Sequence, residues 1–341
     1  MTYRVGSQTL YFVDASRLSW AGEGARPMLL DVWYPAVDSA VEQTHYFGGD
    51  EPLFQIEGIA KDAPLLVGQW PLIVLSHGTG GSGLQMGWLG RYLASHGFVA
   101  VAISHHGNTC IEPYLPQGFL LWWERATDLS RVIDFMLAHS DFGAVIAAEK
   151  IAAAGFSLGG YTALAVAGGI CDLSALYDFC GSDERDASCD APPEFSSLLA
   201  MREQLIASDP AFNSALQRHA VSYKDSRVRA ALLLSPALGR AFTSDGVAQI
   251  DIPLHIVVAA GDQIAPAKSN GMYLAQLMPE AKLTVLDEAV NHYVYLCEAT
   301  PAGKQYLPEL CCDDARVDRR LIHQQTAALA VEFFRSSGIG L

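Results

Sequence analysis

Positive charge is scarce in this sequence: 22 Lys and Arg stand against 37 Asp and Glu, a formal net charge of −15. That balance disfavours nucleic-acid backbones and anionic membrane surfaces as partners, since both require clustered cations. Long apolar runs are missing too. No window reaches about 18 apolar residues without polar interruption, so no stable membrane insertion is expected. The opening stretch MTYRVGSQTLYFVDASR lacks a basic segment leading into an apolar one. The chain as written is therefore expected in the cytoplasm, or in the periplasm or outside the cell if a leader has been removed. No cysteine spacing matches a zinc site, so neither metal nor cofactor is expected. Seven cysteines cannot all pair within one chain. Mostly reduced thiols are one expectation. Loop-stapling disulfides are the other, with Cys171, Cys180 and Cys189 in one polar segment and Cys297, Cys311 and Cys312 in another.

What is present is apolar material in a regular rhythm. Half of the 341 residues are hydrophobic, enough for one large domain. Short apolar runs alternate with longer amphipathic segments, which signals strands joined by crossover helices into an α/β fold. The pattern predicts eight strands in a mainly parallel sheet: Thr9 to Val13, Met28 to Tyr34, Leu72 to Ser76, Val99 to Ser104, Ile151 to Ala154, Ala230 to Leu234, Leu254 to Ala259 and Lys282 to Leu286. Flanking helices are predicted over Gly87 to His96, Ala126 to Ala138, Leu158 to Ala167, Lys268 to Met278 and Arg319 to Phe334. Residues 169–226 break the rhythm with three cysteines and the stretch DERDASCDAPPEF, and are expected to form a cap-like insertion over one end of the sheet.

The stretch AGFSLGGY contains G-x-S-x-G, with Ser157 between a strand of small residues and a helix. A chain with 30 glycines meets that pattern easily by chance, so its partners carry the weight. Upstream, LIVLS runs into HGTGG, the form of a loop whose backbone N–H groups can face a carbonyl oxygen. Downstream, the strand LHIVVA leads to Gly261 and Asp262, and the next strand is followed by Asn291 and His292. Alone, Asp262 reads as a turn residue and His292 as a packed or surface histidine. Together, and in the order Ser157, Asp262, His292, they predict a nucleophile, an acid and a base converging where strands end. The N–H groups of Thr79 and Leu158 are the expected oxyanion donors. Asp251, Asp287 and Glu288 compete for the acid, but none follows a strand so directly.

These motifs, with PLIVLSHGTGGSGLQMGWLGRYLASHGFVAVAISHHGNT, WERATDLSRVIDFML and IAAAGFSLGGYTALAVAGG around them, resemble the α/β-hydrolase superfamily. The likeness is to its dienelactone-hydrolase-like branch, which also resembles the platelet-activating-factor acetylhydrolases, and covers about residues 25 to 335. The resemblance implies an α/β-hydrolase fold and hydrolysis of a small-molecule carboxylic ester through an acyl-enzyme. Two departures stand out. Ser157 occupies the position where dienelactone hydrolases have cysteine, and the sixth strand ends LLLSPALG with no acid, which sends that role to Asp262. An amidase or thioesterase with the same residues, and a non-catalytic binding protein on this fold, are the rivals.

Other features are less specific. Gly80, His106, Trp122 and Trp123 are candidate substrate contacts; core packing is the alternative for the FLLWW run. His105 and His106 lack the further ligands a metal needs. Glu124, Arg125 and Asp128 read as charges at a helix start with an ion pair.

Overall fold

The computed structural model describes residues 2–22 and 24–340. Eleven strands form one mixed sheet: β1 (Arg4–Leu18), β2 (Ala25–Ala36), β3 (Gln43–Phe47), β4 (Phe54–Lys61), β5 (Trp70–Ser76), β6 (Val99–Ser104), β7 (Ile146–Phe156), β8 (Val228–Leu234), β9 (Leu254–Ala259), β10 (Lys282–Leu286) and β11 (Glu298–Ala299). Their order is β10-β9-β8-β7-β5-β6-β2-β1-β4-β11, with β3 paired to β4. From β10 to β6 every pairing is parallel, and β2 adds antiparallel to β6 and β1 to β2.

All eight expected strands are present. The three unexpected ones extend the sheet beyond β1. Two of them are short, and β4 is interrupted by Gly58 at φ +69°, so no sustained alternation marks them in the sequence.

Central strand β5 is buried at all seven residues, because helices cover both faces. Its side chains alternate accordingly. Leu72 and Val74 enter one core with the helices Glu124–Ala138 and Leu158–Ala167, and Ile73 and Leu75 enter the other with Gly87–Ser95 and Arg319–Ser336. The helix expected from Lys268 begins only at Gly271. Asn270 is diverted to hold another loop, accepting from the Gly239 N–H at 2.9 Å, and its backbone is non-helical.

Residues 169–226 hold five short helical segments, beginning with Leu173–Cys180 and ending with Pro210–Leu216. Asp172 and Asp209 cap two of them by accepting two backbone N–H bonds each. A Cys180–Cys189 disulfide closes the loop between. Cys110, Cys171, Cys297, Cys311 and Cys312 are free thiols. Among the described residues, no helix is long and apolar enough to cross a membrane.

Candidate active site

Ser157 sits where β7 turns into the helix Leu158–Ala167, with φ +56° and ψ −119°. A non-glycine residue there is strained, and the surroundings hold it in place. The Ser157 N–H donates to Leu234 O at 2.9 Å, while its carbonyl accepts from Gly160 N at 2.8 Å and Ala237 N at 3.0 Å. Gly159 is required by contact: a Cβ there would strike the Ser76 carbonyl at the end of β5. The elbow thus depends on two strands and one helix approaching without side chains between them.

Asp262 follows β9 and His292 follows β10. Gly261 lets the two loops touch, since a Cβ on it would strike the Glu288 carbonyl. One Asp262 oxygen accepts from the backbone N–H groups of Ile264 at 2.9 Å and Ala265 at 2.7 Å. The other meets His292 Nδ1 at 2.6 Å, and His292 Nε2 lies 2.9 Å from Ser157 Oγ. An ionised Asp262 can only accept, so Nδ1 carries the proton and Nε2 is left to accept from the serine hydroxyl. All three side chains are buried, and Phe156 packs against the imidazole. The competing acids are engaged elsewhere or exposed: Asp251 pairs with Lys224, Asp287 caps the Ala289 N–H, and Glu288 faces solvent.

HGTGG is held by its own histidine. His77 Nε2 accepts from the His105 N–H at 3.1 Å, so Nδ1 carries the proton and donates to Gly78 O at 2.6 Å. Gly81 N–H donates to the same carbonyl at 3.3 Å. Because C=O and N–H point opposite ways across a trans peptide, pinning Gly78 O turns the Thr79 N–H the other way. Among the described residues, neither the Thr79 nor the Leu158 N–H finds a protein acceptor, as a pair kept for an oxyanion requires. Burial, reinforced by the nearby Arg125 guanidinium, keeps the His77 imidazole well below its usual pKa, which suits the neutral form this bonding needs.

Behind this loop lies a network the sequence did not announce. Glu124, Arg125 and Asp128 do open the helix Glu124–Ala138, Glu124 and Asp128 enter ion pairs, and all three are buried. Arg125 donates to His77 O, and to Ser76 Oγ at 3.2 Å. His105 links Ser76 Oγ at 2.9 Å to Asp128 at 2.7 Å. Burial, together with Arg125, lowers the His105 imidazole to about 4. Burial opposes ionisation of Asp128, yet Arg17 and His105 hold it below the usual carboxylate range. Arg17, Arg26 and Arg218 also surround Glu124.

A cavity of about 1100 Å³ opens over Ser157. Gly80, Trp122 and Trp123 border it, with Trp123 only 1% exposed behind Trp122 and donating its Nε1–H to Ala215 O. His106 does not. It accepts from Trp20 N and binds Glu112, tying β1's outgoing loop to the turn after β6. His105, one residue earlier, instead reaches Asp128. The remaining walls come from segments that carried no motif: Phe47 and Phe54 from β3 and β4, Tyr114, and Leu173, Leu176 and Glu194 from residues 169–226. Their apolar character was readable, but the convergence was not. Among the described residues, no group of three or more His, Cys, Asp or Glu is placed to hold a metal ion.

In overall fold the chain is similar to the ferulic acid esterase from Streptomyces cinnamoneus, with a TM-score of 0.62 at 20% identity over 97% of this chain and 88% of that one. No curated protein matches it in sequence. The model of the alpha/beta hydrolase family matches residues 73–302, more than half of the chain, from β5 through the loop bearing His292. With the sheet order, the serine elbow and the family match in agreement, the chain belongs to the alpha/beta hydrolase family.

Proposed function

We propose that the protein hydrolyses carboxylic esters with Ser157 as nucleophile, His292 as general base and acid, and Asp262 as the group that orients the imidazole. One observation carries this reading: His292 lies within hydrogen-bond reach of both Ser157 Oγ, at 2.9 Å, and Asp262, at 2.6 Å, beside a serine in a strained turn. His292 Nε2 takes the hydroxyl proton as Oγ attacks the ester carbonyl. The resulting oxyanion accepts from the N–H groups of Leu158 and Thr79, each donor worth about 3 kcal/mol of barrier. The imidazolium, stabilised by Asp262, gives its proton to the departing alcohol. Water, deprotonated by the same imidazole, then releases the acid.

The likeness to a fold neighbour named as a ferulic acid esterase supports the ester class, as does the resemblance to the dienelactone-hydrolase-like branch. We further propose that residues 169–226 act as a cap within a single domain. The Cys180–Cys189 disulfide favours an oxidising compartment for the mature protein. A fluorophosphonate probe followed by peptide mass spectrometry tests the nucleophile. The expected result is a single adduct on Ser157 that disappears in Ser157→Ala; a folded protein that stays unlabelled would overturn the reading.

A further inference from the structure

The cavity over Ser157 is mostly apolar, and three side chains bordering it are acidic or basic beyond the histidine of the site: Asp190, Glu194 and Arg202. Asp190 pairs with Arg185 at 2.7 Å, and Arg202 pairs with Glu203 at 3.0 Å. Glu194, among the described residues, has no cationic partner. It is nevertheless the one nearest the chemistry. A Cβ on Gly80, next to the oxyanion donor Thr79, would lie 3.2 Å from both Glu194 Cβ and Cγ. Tyr293, the residue after His292, borders the same cavity.

Aromatic faces complete the surroundings. Tyr114, whose hydroxyl donates to Gly80 O at 3.0 Å, packs against Phe119 and Phe195 with ring centroids 4.9 and 6.1 Å away. A partly buried anion without a counter-ion is costly, and rings beside it offer the negative π-faces that attract cations. Burial raises the Glu194 carboxyl above its usual range, opposed by its own backbone, His292 and the Tyr293 hydroxyl.

We propose that Glu194 is a specificity-determining residue that selects esters whose alcohol half carries a cationic group, an ammonium or quaternary ammonium. The alcohol side is part of the proposal: Glu194 borders the cavity together with His292, the group that would protonate the leaving alcohol, and Tyr293. The chain's net charge of −15 draws cationic substrates toward the cavity, although that long-range pull is independent of Glu194. The inference rests on the esterase reading above.

The test compares two esters of nearly the same shape and different charge, butyrylcholine and 3,3-dimethylbutyl butyrate, with p-nitrophenyl butyrate as the reference ester. The measurement is the ratio of kcat/KM for the charged over the neutral ester, in wild type and in Glu194→Gln, at low salt and at high salt. In wild type the ratio is expected to be on the order of ten or more, persisting in part at high salt, and in Glu194→Gln it falls toward one. A wild-type ratio of one or less overturns the proposal without needing the variant. So does an unchanged ratio in Glu194→Gln, which would assign the preference to the overall field. Turnover of p-nitrophenyl butyrate alongside either result leaves the esterase reading standing. A protein inert to all three esters and unlabelled by fluorophosphonate loses both.

Discussion

At the scale of single residues, the serine elbow sets reactivity against backbone comfort. Ser157 holds φ +56° in a region where a side chain is strained by roughly 1–3 kcal/mol, and its neighbours keep it there. Ser157→Ala and Ser157→Gly both remove the hydroxyl, so a comparison between them isolates the backbone. Both are expected to abolish turnover, while the glycine variant is expected to unfold at higher urea than the alanine variant by about 1 kcal/mol. Equal midpoints would mean that the turn is unstrained.

Asp31 supplies a second residue-scale prediction. It is 5% exposed on β2, with Thr9 Oγ1 donating to it at 3.1 Å, and burial raises its carboxyl to about 6 despite that bond. Because the folded pKa exceeds the unfolded one, its contribution to stability is complete below about pH 4 and is lost as pH rises through 6. A shift of about two units corresponds to roughly 3 kcal/mol. Asp31→Asn cannot ionise and can still accept from Thr9. Urea unfolding is therefore expected to show the variant gaining on wild type as pH goes from 4.5 to 7.5, by about 2 kcal/mol. A pH-independent difference would contradict the burial argument.

At the scale of elements, the segment over the cavity is stitched rather than packed. Most residues of the helix Leu198–Ser208 stay at least partly exposed, with Leu198 alone fully buried. The disulfide loop is tied to the turn after Asp262 by Asp186 with Ser269 and by Ser188 with Asn270. A cross-link closing so short a loop is worth about 2–3 kcal/mol in the chain-entropy account. Replacing both Cys180 and Cys189 by serine is expected to make residues 169–226 the first site of limited proteolysis while the sheet keeps its thermal transition. For the native protein, thiol titration in denaturant is expected to give five groups, rising to seven after reduction. Seven groups without reductant would remove the disulfide.

Across the whole molecule, what could be read in advance divides by how local its cause is. The eight principal strands and Ser157, Asp262 and His292 were legible because each lies at the end of an apolar run, and strand ends in a parallel sheet face one crevice. His106 misled because the chain turns just past the end of β6 and carries the ring toward Trp20 and Glu112, a change of direction the apolar run before it does not announce. The helix start at Glu124 was readable, but the burial of Arg125 and Asp128 was not, because their partners His77 and Arg17 are distant in sequence and come together only in the fold. Glu194 lay in an irregular stretch with no periodicity, where burial leaves no trace.

The cavity has two kinds of wall, and they derive from different parts of the chain. The groups proposed to react project from the ends of β5, β7, β9 and β10, locked by backbone contacts that tolerate almost no change. The surfaces that would meet the rest of a substrate come from β3 and β4 at the far edge and from residues 169–226. On the proposed reading, those two segments can be lengthened, shortened or recharged to change which ester fits, without disturbing the groups proposed to break the bond.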